Sequence, residues 1–198
     1  MTDDRLAPPA FDPAAAAAAA ARFAAEAPAD LSYAVVDSPL GPLLAARTPH
    51  GLARVSYLDF RGGLDAVLDD LAARVSPRIL EAPARLDDVR RELDEYFAGQ
   101  RTGFDVAVDW SVVHGFGRRV LRATAAIPFG EVSTYAAIAA RAGSPKASRA
   151  TGNALGANPI PIVVPCHRVL RTGGTLGGYT GGIEKKETLL RIEGVLLT

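Results

Sequence analysis

The chain has 198 residues, of which 48% are hydrophobic and 22% charged. This balance is typical of a globular protein of one or two domains and excludes a chain that is disordered throughout. It contains no run of about 18 apolar residues that would form a transmembrane helix. The first residues, Met1–Asp4, are acidic where a signal peptide would be basic. We therefore expect no membrane association and a cytoplasmic protein whose single cysteine, Cys166, stays reduced.

The net charge of zero conceals an uneven distribution of charge along the chain. Residues 1–114 contain 11 Lys/Arg and 18 Asp/Glu, whereas residues 115–198 contain 11 and 4. The positive excess of the C-terminal half indicates an anionic partner, above all nucleic acid. Attraction between the two halves of the molecule is the alternative explanation.

The N-terminal half is predicted to be an extension followed by a small mixed domain. Residues 1–30 include the alanine run Ala14–Ala21, which favours helix but offers no apolar stripe for docking. Two helices with one apolar face are predicted from Leu64 to Val75 and from Leu86 to Phe97, the second ending before Gly99. Before them, three β-forming segments separated by turns predict a β-meander: Leu31–Asp37, Pro42–Thr48 and Leu52–Leu58. The acidic residues of the second helix are interpreted as a solvated face: Asp87, Asp88, Glu92, Asp94 and Glu95.

The C-terminal half is predicted to be mostly helical after a linker around Gln100–Gly117. Arg118–Ile127 is predicted to form a helix that Pro128 ends. Two short helices across Gly143 predict a helix-turn-helix, although two ordinary packed helices would give the same pattern. The first is capped by Ser133 or Thr134 and runs to Ala142, with Ile138 and Ala139 inward; the second is capped by Ser144 and runs from Pro145 to about Leu155. The second helix carries Lys146 and Arg149 among small residues that allow a close approach to a surface.

The segment Asn158–Val169 has the clearest chemical content. Its apolar run leads into Pro165, which ends any strand there, so Cys166 is expected at the exit of a buried segment. A free thiol has a pKa of about 8.5 and needs a base or a positive field to act as a nucleophile. His167 is the nearest base in sequence, but neighbouring side chains point apart, so a water bridge or a turn is needed. A buried structural cysteine is the alternative.

An imidazole base needs a carboxylate to orient it, and the residues alone do not choose among the acids of this half. These are Glu131, Glu184, Glu187 and Glu193. Gly173–Gly182 contains six glycines and is predicted to form the wall of a binding pocket. Ile183–Glu193 is predicted to be a final helix with Lys185, Lys186 and Arg191 exposed.

The motif Pro165-Cys166-His167-Arg168-Val169, preceded by Asn158-Pro159, resembles the active-site signature of the O6-alkylguanine-DNA alkyltransferases, or methylated-DNA–protein-cysteine methyltransferases. The resemblance covers about residues 31–195. Further motifs occur in the family's order and spacing: Asp37–Leu43, Ile127–Tyr135, Arg149-Ala150, Gly178–Gly182, and Leu189-Leu190 to Glu193.

The resemblance implies an α+β fold with a helix-turn-helix in its C-terminal domain. A small N-terminal domain of β-meander and helices, ribonuclease-H-like, would occupy residues 31–110. A mostly helical domain that binds DNA and accepts the alkyl group would occupy residues 111–198. Residues 1–30 remain an Ala/Pro-rich extension without a counterpart.

The implied activity is a direct, stoichiometric transfer of the alkyl group from O6-alkylguanine in DNA to Cys166, with one turnover per molecule. O4-alkylthymine is a second candidate substrate. The implied partner is double-stranded DNA, bound by a monomer through the minor groove with the damaged nucleotide flipped out. No cofactor is implied, and no metal is expected, because the N-terminal half lacks the cysteines on which some relatives build a zinc site. A non-enzymatic alkylated-base sensor of similar fold is the alternative, although such relatives replace the acceptor cysteine.

The resemblance also assigns residues. Cys166 would accept the alkyl group, His167 would take its proton through a water, and Glu193 would orient that histidine. Asn158 would brace the site and Tyr135 would assist the leaving base. The residues implied to contact DNA are Arg149, which would fill the gap left by the flipped nucleotide, with Lys146, Thr134, Tyr135, Ser148 and Ala150. Those implied to line the guanine pocket are Pro165, Val169, Gly178, Tyr179 and Thr180.

Overall fold

The computed structural model describes residues 12–26, 28–60 and 62–196. Helix α1 (Pro13–Glu26) contains the alanine run, so the helix predicted there is confirmed, and its described side chains are exposed. The start of the predicted extension, residues 1–11, lies outside the described residues. None of the described helices combines the length and the apolar character that crossing a bilayer requires.

A four-stranded sheet forms the centre of the N-terminal half. Strands β1 (Leu31–Val36), β2 (Leu43–Thr48) and β3 (Gly51–Tyr57) pair antiparallel and confirm the predicted meander. A short strand, β4 (Ile79–Glu81), pairs parallel with β1, which gives the strand order β3-β2-β1-β4. The sequence analysis did not predict β4, because three partly exposed residues carry no readable alternation.

Both faces of this sheet are covered because successive side chains of a strand point to opposite sides. In β2, Leu43 and Ala45 belong to the main core, whereas Leu44 belongs to a second cluster. Helix α2 (Gly63–Arg74) covers the second cluster, whose buried members are Leu31, Leu44, Ala46, Ala53, Val67 and Leu71. Val75, expected on the apolar face, is instead 39% exposed because the helix ends one residue earlier.

Helix α3 (Asp87–Phe97) packs on the other face and buries Val89, Leu93 and Tyr96 in the main core. The interpretation of Glu92 as part of a solvated face is wrong, because this side chain is only 3% exposed. Its carboxylate accepts hydrogen bonds from the backbone N–H groups of Asp105 at 2.8 Å and Val106 at 3.3 Å. A buried carboxylate is tolerated here because backbone donors replace the lost water.

The segment predicted as a linker packs against β3. The N–H of Leu52 donates to Ala107 O at 2.7 Å, and the N–H of Asp109 donates to Leu52 O at 2.9 Å. A 3-10 helical turn, Trp110–Val112, follows. The main core then continues without interruption from the sheet into the C-terminal half.

Four helices dominate the C-terminal half: α4 (Gly115–Ala125), α5 (Tyr135–Arg141), α6 (Ser148–Gly156) and α7 (Ile183–Ile192). Helix α4 begins three residues before the predicted start. Helix α5 begins as predicted, because Thr134 Oγ1 accepts from Ala137 N at 3.1 Å. The expected α+β fold is confirmed.

Helix α6 begins later than predicted. Ser144 does not cap it; instead, Ala147 N donates to Ser144 O at 2.9 Å and closes a turn over Ser144–Ala147. A Ser-Pro pair suits the first half of such a turn as well as a helix start, so the sequence did not discriminate between them. Lys146 therefore lies in the turn before α6 and not on the helix.

Candidate active site

Cys166 lies at the end of a buried segment, as predicted. The three residues Cys166–Arg168 form a 3-10 helical turn, and all three are buried. The preceding apolar side chains of Ile160, Ile162 and Val164 are almost completely buried. The next strand, β6 (Val169–Leu170), pairs parallel with β5 (Ser133–Thr134). This pairing fixes the start of α5 beside the chain that leaves the cysteine.

Asn158 braces the turn that leads to the thiol. Its Nδ2 donates to Val164 O at 2.9 Å and to Cys166 Sγ at 3.2 Å, and its Oδ1 accepts from Ile160 N at 3.0 Å. Within this turn Ile162 has a φ of 75°, a left-handed conformation that is strained for a β-branched residue. Such strain costs about 1–3 kcal/mol and persists only where the surroundings impose it. The Asn158 bonds are one such constraint.

The surroundings of the thiol act on its pKa in opposite directions. Burial raises the pKa of Cys166 above its usual value, because a thiolate loses its hydration. The hydrogen bond from Asn158 and the positive charge of Lys186 act against this shift. The net shift is upward, so the resting side chain is a thiol and the reaction needs a base.

His167 is anchored by Glu193. Its Nε2 lies 2.8 Å from Glu193 Oε1, and both side chains are buried. Burial alone would raise the pKa of Glu193, but bonds from His167 and Arg168 hold it at about 2, so the carboxylate is charged. A charged carboxylate accepts only, which assigns the proton to Nε2 and leaves Nδ1 as the acceptor. Burial lowers the pKa of His167, and its Nδ1 has no hydrogen-bond partner among the described residues.

Two further residues hold Glu193, and neither was predicted to bind it. Arg168 donates from Nε to Glu193 Oε2 and from Nη2 to Oε1, both at 2.8 Å, and from Nη1 to Ile127 O at 2.6 Å. The Tyr96 hydroxyl donates to Glu193 Oε1 at 2.6 Å. The available signal for Tyr96 was its place on the apolar stripe of a helix, because a buried phenol needs a polar partner.

Lys186 is fully buried, so the prediction that it is exposed is wrong. Its Nζ donates to Val169 O at 2.7 Å and to Leu176 O, and burial lowers its pKa to about 8. The signal for its burial was present, since Lys186 precedes Leu189 and Leu190 by three and four residues and so shares their helix face. The other two side chains predicted to be exposed on this helix differ in outcome. Arg191 is exposed as expected, whereas the side chain of Lys185 is only 18% exposed.

The glycine-rich segment 173–182 contains no helix or strand. It includes one predicted site tyrosine, Tyr179, and contacts the other, Tyr135. A Cβ at Gly177 would lie 2.9 Å from the Tyr135 hydroxyl, so the segment packs on Tyr135. The Tyr179 hydroxyl lies 2.8 Å from that of Tyr57, and Thr180 Oγ1 donates to Gly156 O at 2.8 Å. Of the remaining residues expected in the pocket, Gly178 is exposed, whereas Pro165 and Val169 are buried.

The residues expected to contact DNA lie at the starts of α5 and α6, two helices that pack together. Arg149, Lys146 and Ala150 are exposed, whereas Ser148 and Thr134 are half-buried. The Thr134 hydroxyl already caps α5. Within the described ranges, no group of three or more His, Cys, Asp or Glu side chains is arranged to hold a metal ion.

Comparisons with known proteins identify the family of the chain. Residues 31–110 match the model of the 6-O-methylguanine DNA methyltransferase ribonuclease-like domain, and residues 115–195 match that of the DNA binding domain. The chain is 40% identical over 162 residues to a methylated-DNA–protein-cysteine methyltransferase of Methanosarcina acetivorans, covering 82% of this chain and 97% of that protein. It is 41% identical over 164 residues to one of Mycolicibacterium paratuberculosis, covering 82% and 92%.

Solved structures give the same result. The crystal structure of Mycobacterium tuberculosis OGT in complex with DNA superposes with a TM-score of 0.70 at 38% identity and covers 82% of this chain and 93% of that one. An O6-methylguanine-DNA methyltransferase from Pyrococcus kodakaraensis gives a TM-score of 0.61 at 27% identity over 83% of this chain and 99% of that one. The chain therefore belongs to the 6-O-methylguanine DNA methyltransferase family.

Proposed function

We propose that this chain repairs alkylated DNA by moving the alkyl group from O6 of guanine to Sγ of Cys166. Relatives about 40% identical are named methylated-DNA–protein-cysteine methyltransferases, which supports the reaction class. The chain has one cysteine, so a cysteine acceptor within it has to be Cys166. The observation that carries the proposal is a buried thiol adjacent to a histidine anchored by a charged carboxylate.

The first step is removal of the thiol proton. A water between Cys166 Sγ and His167 Nδ1 carries the proton, because adjacent side chains do not face each other directly. The imidazole becomes an imidazolium, and Glu193 stabilises its charge. Asn158 and the Lys186 ammonium stabilise the thiolate, which opposes the upward shift of its pKa by burial.

The second step is an in-line displacement at the alkyl carbon. The thiolate forms the S–C bond, the C–O6 bond breaks, and its electron pair goes to guanine. Tyr135 assists the departing base by offering its hydroxyl proton, although burial raises its pKa and makes it a modest acid. The product is a thioether, and none of the residues assigned to the site reverses it, so each molecule acts once.

The DNA contacts come from a helix-turn-helix formed by α5 and α6. Arg149 enters the duplex where the damaged nucleotide has flipped out, because O6 is inaccessible inside the stack. Lys146, Ser148, Ala150 and Thr134 approach the backbone of the minor groove. The protein acts as a monomer, since each molecule reacts once. It acts in the cytoplasm, since the reaction needs a reduced thiol.

The flipped base occupies a pocket walled by the glycine-rich segment. Tyr179, Thr180 and Gly178 lie on one side, with Pro165 and Val169 beside the thiol. In this account residues 31–110 form the domain that supports the site, residues 111–198 carry the chemistry, and residues 1–30 are an extension.

A titration tests the proposal. Increasing amounts of duplex carrying one O6-methylguanine are mixed with a fixed amount of protein, and restored guanine is measured. We expect restoration to stop at one equivalent, and Cys166→Ala to bind the duplex without restoring any guanine. Restoration beyond one equivalent contradicts the single-turnover mechanism, and binding without transfer by the unmodified protein supports the alternative of an alkylated-base sensor. The presence of the Cys166 thiol disfavours that alternative.

A further inference from the structure

Taking the proposed function as its basis, we propose that Tyr57 of β3 is a positioning residue for the substrate pocket. Its hydroxyl and ring fix the loop that carries Tyr179, so the N-terminal sheet shapes the site that receives the alkylated base. Tyr57 lies far from the motif residues in sequence, and the sequence analysis gave it no role. We call the contacts of Tyr57 and Asp59 with Tyr179, Gly181 and Lys185 the β3 clamp.

The first part of the clamp is a pair of phenols. The hydroxyls of Tyr57 and Tyr179 are 2.8 Å apart, and the two rings meet edge to face with centroids 6.2 Å apart. Tyr57 is only 6% exposed, so its hydroxyl depends on this partner for a hydrogen bond. Loss of either hydroxyl leaves the other without this bond and frees the Tyr179 ring to move.

The second part is a close contact between ring and backbone. A Cβ at Gly181 would lie 2.5 Å from Tyr57 Cε2, closer than side chains approach each other, so the loop backbone rests directly on the ring. Because the segment 173–182 has six glycines and no helix or strand, its own backbone does little to fix its shape. The shape of the loop therefore depends on the surface against which it packs.

The third part continues the contact to the start of α7. Lys185 Nζ lies 2.6 Å from Asp59 Oδ2 and 5.3 Å from the centroid of the Tyr57 ring. The loop is also tied to α6 by the bond from Thr180 to Gly156. Tyr57 and Thr180 also line a cavity of about 500 Å³ together with Asn158. The loop is thus held between β3 and α6 at the edge of a cleft that reaches the bracing asparagine.

The protonation state of the two phenols supports the hydrogen bond between them. Burial raises the pKa of Tyr57 and of Tyr179, and the charge of a Cys166 thiolate raises both further. Both hydroxyls therefore stay protonated at neutral pH, so either can donate to the other. A shift of Tyr179 would alter how the base sits against Sγ, and misplacement of reacting atoms slows transfer.

Single-turnover kinetics with duplex carrying O6-methylguanine test the clamp. The transfer rate at saturating DNA is measured for the unmodified protein, Tyr57→Phe, Tyr179→Phe and the double variant, with the thermal midpoint as a check on folding. Loss of one hydrogen bond predicts a rate lower by about fivefold for Tyr57→Phe, at an unchanged DNA concentration for half-maximal rate. In the Tyr179→Phe background, Tyr57→Phe should add no further slowing, because the bond is already gone. Tyr33→Phe removes a more exposed hydroxyl from the same sheet and should change nothing.

The results of these experiments distinguish a failure of the clamp proposal from a failure of the proposed function. No transfer by the unmodified protein overturns both, whereas normal transfer by Tyr57→Phe overturns the clamp alone. Independent, multiplicative slowing by the two substitutions also overturns it, since it would mean that the hydroxyls do not act through each other. If Tyr57→Phe folds poorly, Asp59→Asn breaks the partly exposed ion pair instead. It should slow transfer by about twofold, and an unchanged rate overturns the clamp.

Discussion

The interior of the candidate site and its outer face are built in opposite ways. Inside, the two oxygens of Glu193 accept four hydrogen bonds, from Tyr96, His167 and twice from Arg168. Outside, the side chains of Arg149 and Lys146 make no hydrogen bond or ion pair with any other described residue. Folding therefore completes the bonding of the Glu193 carboxylate, whereas the outer face has cations free for a ligand.

Burial explains this difference. A charge removed from water is stable only when it is paired and hydrogen-bonded, so the interior has to be satisfied before DNA arrives. An exposed guanidinium or ammonium is hydrated, so it destabilises the folded protein little when no DNA is bound. We therefore expect variants of the interior to slow transfer from every substrate, and variants of the outer face to slow transfer from DNA alone.

The largest effect is expected for Glu193→Gln. The amide keeps the shape but removes the charge that stabilises the His167 imidazolium, and loss of general-base catalysis lowers a rate by about 100-fold or more. It also leaves the buried Arg168 guanidinium without a carboxylate, which destabilises the fold by about 3 kcal/mol. Transfer from both methylated duplex and free O6-benzylguanine should slow, and denaturant unfolding measures the loss of stability.

Glu187→Gln is the matched control on α7. Its partly exposed pair with Arg191 spans one helical turn at 3.2 Å. Such pairs contribute about 0.5 kcal/mol or less, so neither the rate nor the stability should change measurably. Equal effects of the two substitutions would remove the distinction between interior and surface.

Arg149→Ala should have the next largest effect, and on duplex only. Flipping a nucleotide costs a few kcal/mol, and loss of half of the compensation slows transfer by about tenfold. Transfer from free O6-benzylguanine, which needs no flipping, should be nearly unchanged. Arg149→Lys should be intermediate on duplex, because it keeps the charge and loses the planar group. Equal slowing on both substrates would instead assign Arg149 to support of the pocket.

Lys186 tests how burial affects a cation, because it is a positively charged residue in the interior of the site. Burial lowers its pKa from 10.5 to about 8, so between these values the unfolded chain binds a proton that the folded chain does not. Stability should therefore rise with pH across this window, by about 1 kcal/mol per pH unit at most, relative to Lys186→Met. Urea unfolding of both proteins at several pH values measures the difference. A difference that is constant with pH would mean that Lys186 keeps an ordinary pKa.

Lys146→Ala should have the smallest effect. As a contact to phosphate, Lys146 should contribute about one unit to the slope of log affinity against log salt concentration. The transfer rate at saturating duplex should stay the same. An unchanged slope would place Lys146 away from the DNA.

The sequence predicted the parts of the fold that depend on local pattern. Segments of β-forming residues separated by turns predicted the meander, and helical spacing predicted the buried stripe of α3. The proline before Cys166 placed the thiol at the end of a buried segment. The failures have a common physical origin. Glu92 and Lys186 both lie on the inward stripe of their helices, and a charged residue there was taken as exposed. Whether a buried charge finds partners depends on distant backbone groups, such as Asp105 N and Leu176 O, which spacing does not reveal.

In the candidate site, too, the sequence does not reveal contacts between residues that are distant along the chain. The neighbouring Cys166 and His167 are readable from the sequence, whereas the pairing of Glu193 with Tyr96 joins residues 97 positions apart. The resemblance supplied Glu193. Helical spacing placed Tyr96 on a buried stripe without identifying its partner, and neither motif nor spacing pointed to Tyr57. Contacts between the sheet and the C-terminal half emerge only once the two are packed on one core.

Peptide mass spectrometry shows directly whether the sulfur of Cys166 is the atom that accepts the alkyl group. The protein is incubated with excess duplex carrying O6-methylguanine, digested, and every peptide is searched for an added methyl group. The account predicts one methyl group per molecule, on the sulfur of Cys166, and a benzyl group on the same atom after incubation with free O6-benzylguanine. Repaired DNA together with an unmodified Cys166, or a methyl group on any other residue, would contradict it.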